Sequence, residues 1–82
     1  MKKLQNKVAI VTGAAAGLGK AIAILFANEG SHVVAADINE TALKTLQEHI
    51  TNAGGSITTM VADMSNETDI DQLFSKAIAA YG

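Results

Sequence analysis

Three times in 82 residues, a short apolar run ends at a glycine or an aspartate and gives way to apolar residues spaced three and four apart. Short continuous apolar runs read as strands buried on both faces, and the spaced residues read as helix faces. Lys7–Thr12 (KVAIVT) stops at Gly13, and Leu18, Ala21, Ile22, Leu25 and Phe26 then mark a helix that Gly30 can cap. Ser31–Ala36 (SHVVAA) stops at Asp37. Asn39 can cap the helix that follows, with Glu40 in its first turn, an apolar face of Leu43, Leu46, Ile50 and Ala53, and Gly54-Gly55 as the stop. Ser56–Ala62 (SITTMVA) stops at Asp63. Ser65 or Asn66 can cap a last helix, with Glu67 and Asp69 near its start, Ile70, Leu73, Phe74, Ala77, Ile78 and Tyr81 on one face, and Gly82 at the C-cap. The expected class is α/β: a β-α-β-α-β-α run whose right-handed crossovers make one layer of three parallel strands in spatial order 3-2-1, half of a doubly wound sheet.

Composition narrows the class by exclusion. Hydrophobic residues make up 49% of the chain, but only three residues are aromatic, so Ala, Ile, Val and Leu must fill the core, as a two-sided parallel sheet requires. With no Cys there is neither a disulfide framework nor a thiolate metal site, and His32 and His49 lie 17 positions apart without ligand spacing. The net charge is −2, Arg is absent and the six Lys are scattered, which argues against nucleic acid as a partner. The apolar run Val8–Val11 is too short for the core of a signal peptide, and no run approaches the roughly 18 residues of a membrane span. A soluble, cytoplasmic protein is expected.

The turn between the first strand and the first helix reads Thr12-Gly13-Ala14-Ala15-Ala16-Gly17-Leu18-Gly19. Each glycine has a physical reason to be there. Gly13 turns the strand sharply, Gly17 lets backbone approach a pyrophosphate, and Gly19 lets the helix start pack close to the strand. Backbone N–H groups and the helix dipole favour a phosphate at that position. Glycine also marks any tight strand-to-helix turn, but here the loop follows the first strand, opens a helix, and has an acid, Asp37, 18 residues beyond Gly19. Gly13, Ala15, Ala16, Gly17, Leu18 and Gly19 are therefore candidate contacts of a dinucleotide. Residues 1–82 then read as the N-terminal half of a dinucleotide-binding Rossmann domain.

Asp37 ends the second strand, where a carboxylate can accept both hydroxyls of an adenosine ribose and repel a 2′-phosphate. No Lys or Arg follows it; the next residues are Ile38 and Asn39, and NAD is expected in preference to NADP. The plainer reading is that Asp37 ends a strand and caps a turn. Asp63 can accept from an adenine amino group, with the backbone of Met64 beside it, or can serve as an acid near the last helix. Asp69 and Asp71 point to different sides of that helix and read as a solvated face. His32 and His49 read as surface residues, Lys20 as a helix-surface residue, and Tyr81 as core.

These residues resemble the classical branch of the short-chain dehydrogenase/reductase family. Its glycine pattern, Thr-Gly-x-x-x-Gly-x-Gly, is Thr12 to Gly19 here, and Phe26-Ala27-x-Glu29-Gly30 and Asp63 with its polar cap are similar too. The resemblance covers Lys7 to Gly82. It implies hydride transfer between NAD(H) and a small-molecule alcohol or carbonyl, and a homo-oligomer as the full-length state. The family's Asn-Asn-Ala-Gly, its Ser and its Tyr-x-x-x-Lys do not occur in these 82 residues, so no catalytic residue is assigned and the chain alone is expected to be inactive. Ala14-Ala15-Ala16 also offers no hydroxyl to the phosphates, where many relatives carry Ser. Two other readings fit part of the pattern. A methyltransferase with a nucleoside-type donor also wants strand-end acids, but usually carries one at the glycine loop. A non-enzymatic nucleotide-binding or docking half-domain would need no active site.

Overall fold

The structure, a computed structural model, describes residues 7–81, with the side chains of 80 and 81 outside the description. Six elements alternate along it: β1 (Val8–Thr12), α1 (Gly17–Asn28), β2 (His32–Asp37), α2 (Glu40–Asn52), β3 (Ser56–Val61) and α3 (Glu67–Tyr81). The strands form one parallel sheet in the expected order, with β2 between β1 and β3. Asp37 proves to be the last residue of β2 rather than the residue after it, and its carbonyl accepts the N–H of Ala62 at 3.0 Å.

β2 is buried on both sides, which is why its run His32–Asp37 is apolar and uninterrupted at Val33–Ala36. Val33 and Ala35 face α1 and α2, in a cluster with Val11, Leu43, Leu46 and Ile50. Val34 and Ala36 face α3, with Ala62, Leu73 and Ala77. Two helices thus cover one face and the third covers the other, packing mainly on β2 and β1. Both α1 and α2 end in a 6→1 and 5→2 hydrogen-bond pair: Ser31 N–H to Phe26 and Gly30 N–H to Ala27, then Gly55 N–H to Ile50 and Gly54 N–H to Thr51, all at 2.9–3.1 Å.

α1 turns to the sheet a face rotated from the one its apolar spacing suggests, and α2 and α3 bury part of theirs. In α1 the buried residues are Ala23 and Ala27, with Ile22, Ile24 and Phe26 packed beside them, while Leu18, Ala21 and Leu25 are exposed. Gly19 sets this rotation. A Cβ there would lie 2.2 Å from the carbonyl oxygen of Gly13, so the helix starts in backbone contact with the loop. Ala23 and Ala27, one and two turns on, then continue the close approach with small side chains. In α2, Ala53 lies past the helix end and is exposed. In α3, Leu73 and Ala77 are buried, but Phe74 and Ile78 are 55% and 72% exposed. With Val8, Ile10 and Ala77 they line an open apolar groove of about 270 Å³ along β1. The expectations for Tyr81 as a core side chain and Gly82 as a C-cap lie outside the described residues.

His32, expected at the surface, keeps some exposure but has partners on both ring nitrogens. It is partly buried on the α3 face of the sheet, where Nδ1 is hydrogen-bonded to the Ser56 hydroxyl and Nε2 to that of Thr58 at 2.8 Å. The register explains this: His32 stands opposite Ser56, and Thr58 is two residues on, on the same face. His49 is exposed, as expected.

Candidate functional site

All three strands point their C-terminal ends to one side of the sheet, and there an open groove of about 360 Å³ forms between the chain segments that leave them. Thr12 and Gly13 line it from β1, Asp37 and Ile38 from β2, and Ala62, Asp63 and Met64 from β3. Five candidate residues, Gly13, Asp37, Ile38, Asp63 and Met64, therefore share one cavity. Ala15, Ala16, Gly17, Leu18 and Gly19, on the loop and the first turn of α1, are not among the residues that line it. Thr12 and Ala62 were not singled out from sequence, although their position at a strand end is the signal that finds them.

The loop is tied down by two adjacent N–H groups. That of Ala14 donates to the carbonyl of Ala36 at 3.1 Å, and that of Ala15 to Asp37 Oδ2 at 3.0 Å. Ala14 is fully buried beneath them. Asp37 Oδ1 accepts the N–H of Asn39 at 2.9 Å. These backbone donors, Asn39 first and Ala15 second, hold the Asp37 carboxyl below its ordinary value of 3.8.

After the loop, α1 begins without help from any side chain. Its N-cap is Ala16, and no acidic residue occupies its first turn. The N–H groups of that turn thus lack a capping oxygen, and the positive end of the helix dipole is uncompensated. Gly17, at φ +57°, sits at this start, and a Cβ there would meet nothing within 4 Å. Space and donors coincide at the place an anion would occupy.

On the far side of the groove, Asp63 Oδ1 accepts both the N–H and the hydroxyl of Ser65, at 2.9 and 2.7 Å. The hydroxyl is the larger cause of its lowered pKa. Asn66 is the cap of α3, accepting the N–H of Asp69 at 3.1 Å. Asp69 itself is no mere solvated residue: its Oδ2 accepts the N–H of Asp63 at 2.8 Å and so positions the strand-end acid. No local rule announces a contact across that six-residue turn. Among the described residues, no three His, Cys, Asp or Glu are grouped to hold a metal, and no helix is long and apolar enough to cross a membrane.

A family model described as short chain dehydrogenase matches residues 7–82. The 7alpha-hydroxysteroid dehydrogenase of Escherichia coli strain K12 is 40% identical over 80 residues, covering 98% of this chain and 31% of that protein. A short-chain dehydrogenase/reductase of Burkholderia phymatum, solved in complex with NAD, is similar at a TM-score of 0.93 and 34% identity, over 100% of this chain and 29% of the other. A metagenomic short-chain oxidoreductase, solved in complex with NADP, is similar at 0.89 and 33% identity, over 96% and 36%. The chain spans about a quarter to a third of the length of the curated relatives it matches. With its sheet order, its glycine loop and these likenesses together, the chain belongs to the short-chain dehydrogenase family.

Proposed function

We propose that this chain is the N-terminal, NAD-binding half of a dinucleotide-binding domain in an oxidoreductase that moves a hydride between NAD(H) and a small-molecule alcohol or carbonyl. The observation that carries the reading is the Asp37 carboxylate at the groove, beside the uncapped start of α1. The residues fit the cofactor group by group. The free N–H groups of α1 suit a pyrophosphate. Asp37 suits the adenosine ribose, and Asp63, whose Oδ2 has no partner among the described contacts, suits the adenine amino group with the Met64 backbone beside it. Leu18 and Ile38, 77% and 71% exposed, offer apolar surface on either side.

NAD rather than NADP is favoured because the groove lining holds two carboxylates and no Lys. Family members with either cofactor are similar to this chain, so Asp37 and not the likeness supports the choice. When bound, the cofactor supplies the hydride acceptor. The only Tyr is Tyr81, no Tyr-x-x-x-Lys occurs, and catalytic acid/base groups are assigned to none of the 82 residues. The same reading gives a cytoplasmic protein that works as a homo-oligomer.

The test is calorimetric titration of the protein with NAD and NADP. The expected result is a clear preference for NAD, which Asp37→Ala weakens by about 1.5–3 kcal/mol, the worth of a charged acceptor. The gap to NADP should narrow in that variant. Equal affinity for the two cofactors in the unsubstituted protein would overturn the assignment.

A further inference from the structure

We propose that Asp37 is also a positioning residue: by pinning the N–H of Ala15, it holds the glycine loop in its nucleotide-accepting shape before any nucleotide arrives. The inference rests on the function proposed above and adds a second role to the same carboxylate. Gly13 and Gly17, at φ +62° and +57°, bracket three alanines whose methyl groups cannot hydrogen-bond, so the segment Ala14–Ala16 cannot brace itself through its side chains. Among the described residues, Asp37 is the only one whose side chain hydrogen-bonds to residues 13–19, and it reaches across 22 positions to do so. Its other oxygen is held by Asn39 N–H, so the carboxylate cannot swivel without losing a second charge-assisted bond.

The tether and the ribose do not compete. An ionised carboxylate offers about four lone-pair sites. The N–H groups of Ala15 and Asn39 take one on each oxygen. One site on each oxygen is left for the two neighbouring hydroxyls of a ribose. The Asp37 carboxylate can therefore be oriented by the loop and still receive the sugar. An untethered loop would occupy the accepting shape for only part of the time, and apparent affinity falls in proportion to that fraction.

The decisive probe is NAD lacking both adenosine-ribose hydroxyls, titrated into the unsubstituted protein, Asp37→Ala and Asp37→Asn. A carboxylate that served only the ribose would leave the affinity for this analogue unchanged on substitution. A carboxylate that also sets the loop makes Asp37→Ala bind it about tenfold more weakly, corresponding to a bound-like loop population near a tenth. Asp37→Asn, which keeps one carbonyl acceptor, should fall between. Amide hydrogen exchange without nucleotide provides the second readout. The Ala15 N–H should exchange about tenfold or more faster in Asp37→Ala, with Val34 and Ala35 in the centre of β2 unchanged, showing that the sheet is intact. Unchanged analogue affinity, or unchanged exchange at Ala15, overturns the inference. Failure of the unsubstituted protein to bind NAD overturns the proposed function instead, and the exchange result still decides the tether. Should Asp37→Ala not fold, Asp37→Asn carries both measurements.

Discussion

Three helices begin at the same end of the sheet, yet only two of them are finished by their own side chains. α2 starts with Asn39, whose Oδ1 accepts the N–H of Ala42 at 3.0 Å, and has Glu40 in its first turn. α3 starts with Asn66 capping Asp69 and carries Glu67 and Asp69. α1 starts with Ala16 and has neither cap nor acid. An N-cap contributes about 1 kcal/mol, so its omission at one of three equivalent positions is a local loss of stability. The loss falls where the loop lies open and Asp37 stands 3.0 Å from the Ala15 nitrogen. A helix end left without a cap is a binding site for an anion, whereas a capped one is already satisfied. The contrast sets α1 apart: of three similar turns, its start alone is left for some other group to complete.

The largest effect is expected from Gly19→Ala. The new Cβ would sit 2.2 Å from the Gly13 carbonyl oxygen and 2.8 Å from its carbon, and backbone cannot turn aside as a side chain can. A loss of about 3 kcal/mol is expected, which lowers the melting temperature by more than about 10 °C in a chain of this size. A melt within about 2 °C of the unsubstituted protein would show that α1 does not need its close approach.

A smaller pair of substitutions tests the caps directly. Asn39→Ala should cost about 1 kcal/mol of stability and leave NAD affinity unchanged, since the Asn39 N–H that holds Asp37 is retained. Ala16→Asp should do the reverse: about 0.5–1 kcal/mol of added stability from a supplied cap, with NAD affinity reduced about tenfold because the carboxylate occupies the anion's place. Thermal melts and titrations on both variants decide. If Ala16→Asp binds NAD as well as the parent, the start of α1 is not the phosphate site.

The smallest effect is on pH dependence. Asp37 and Asp63 both have folded-state carboxyls below the ordinary 3.8, through the N–H groups of Asn39 and Ala15 in one case and through Ser65 in the other. A depressed folded value means the stabilisation is complete above 3.8 and is lost as pH falls through the lowered values. NAD affinity should therefore be flat from neutrality to about pH 4 and decline only below that range. A decline centred near pH 6 would assign the effect to a histidine instead.

Much of the architecture was legible because it rests on local rules. Apolar runs of strand length, three- and four-residue spacing, glycines after helices and asparagines before them act over a few residues, and each one names an element or its boundary. The glycine loop and the strand-end acids belong to the same class, since a parallel sheet brings all its strand ends to one side wherever the details fall. What failed were helix faces and side-chain partners. In α1 both Leu18, Leu25 and Ala23, Ala27 make plausible apolar stripes by spacing, and a composition rich in alanine leaves the choice open.

The amino-acid sequence alone thus determined the element order, the cap of α2, the choice of Ser65 or Asn66 for that of α3, the glycine spacing and the position of Asp37 and Asp63, because each depends on neighbours along the chain. Packing decided that the small residues of α1 face the sheet, that Phe74 and Ile78 stay open beside β1, and that His32 bridges two hydroxyls. It also decided that Asp69 holds Asp63 and that Asp37 holds Ala15. These are matters of distance between groups 6 to 26 positions apart. Such distances exist only once β1, β2 and β3 lie side by side and the helices have settled on them.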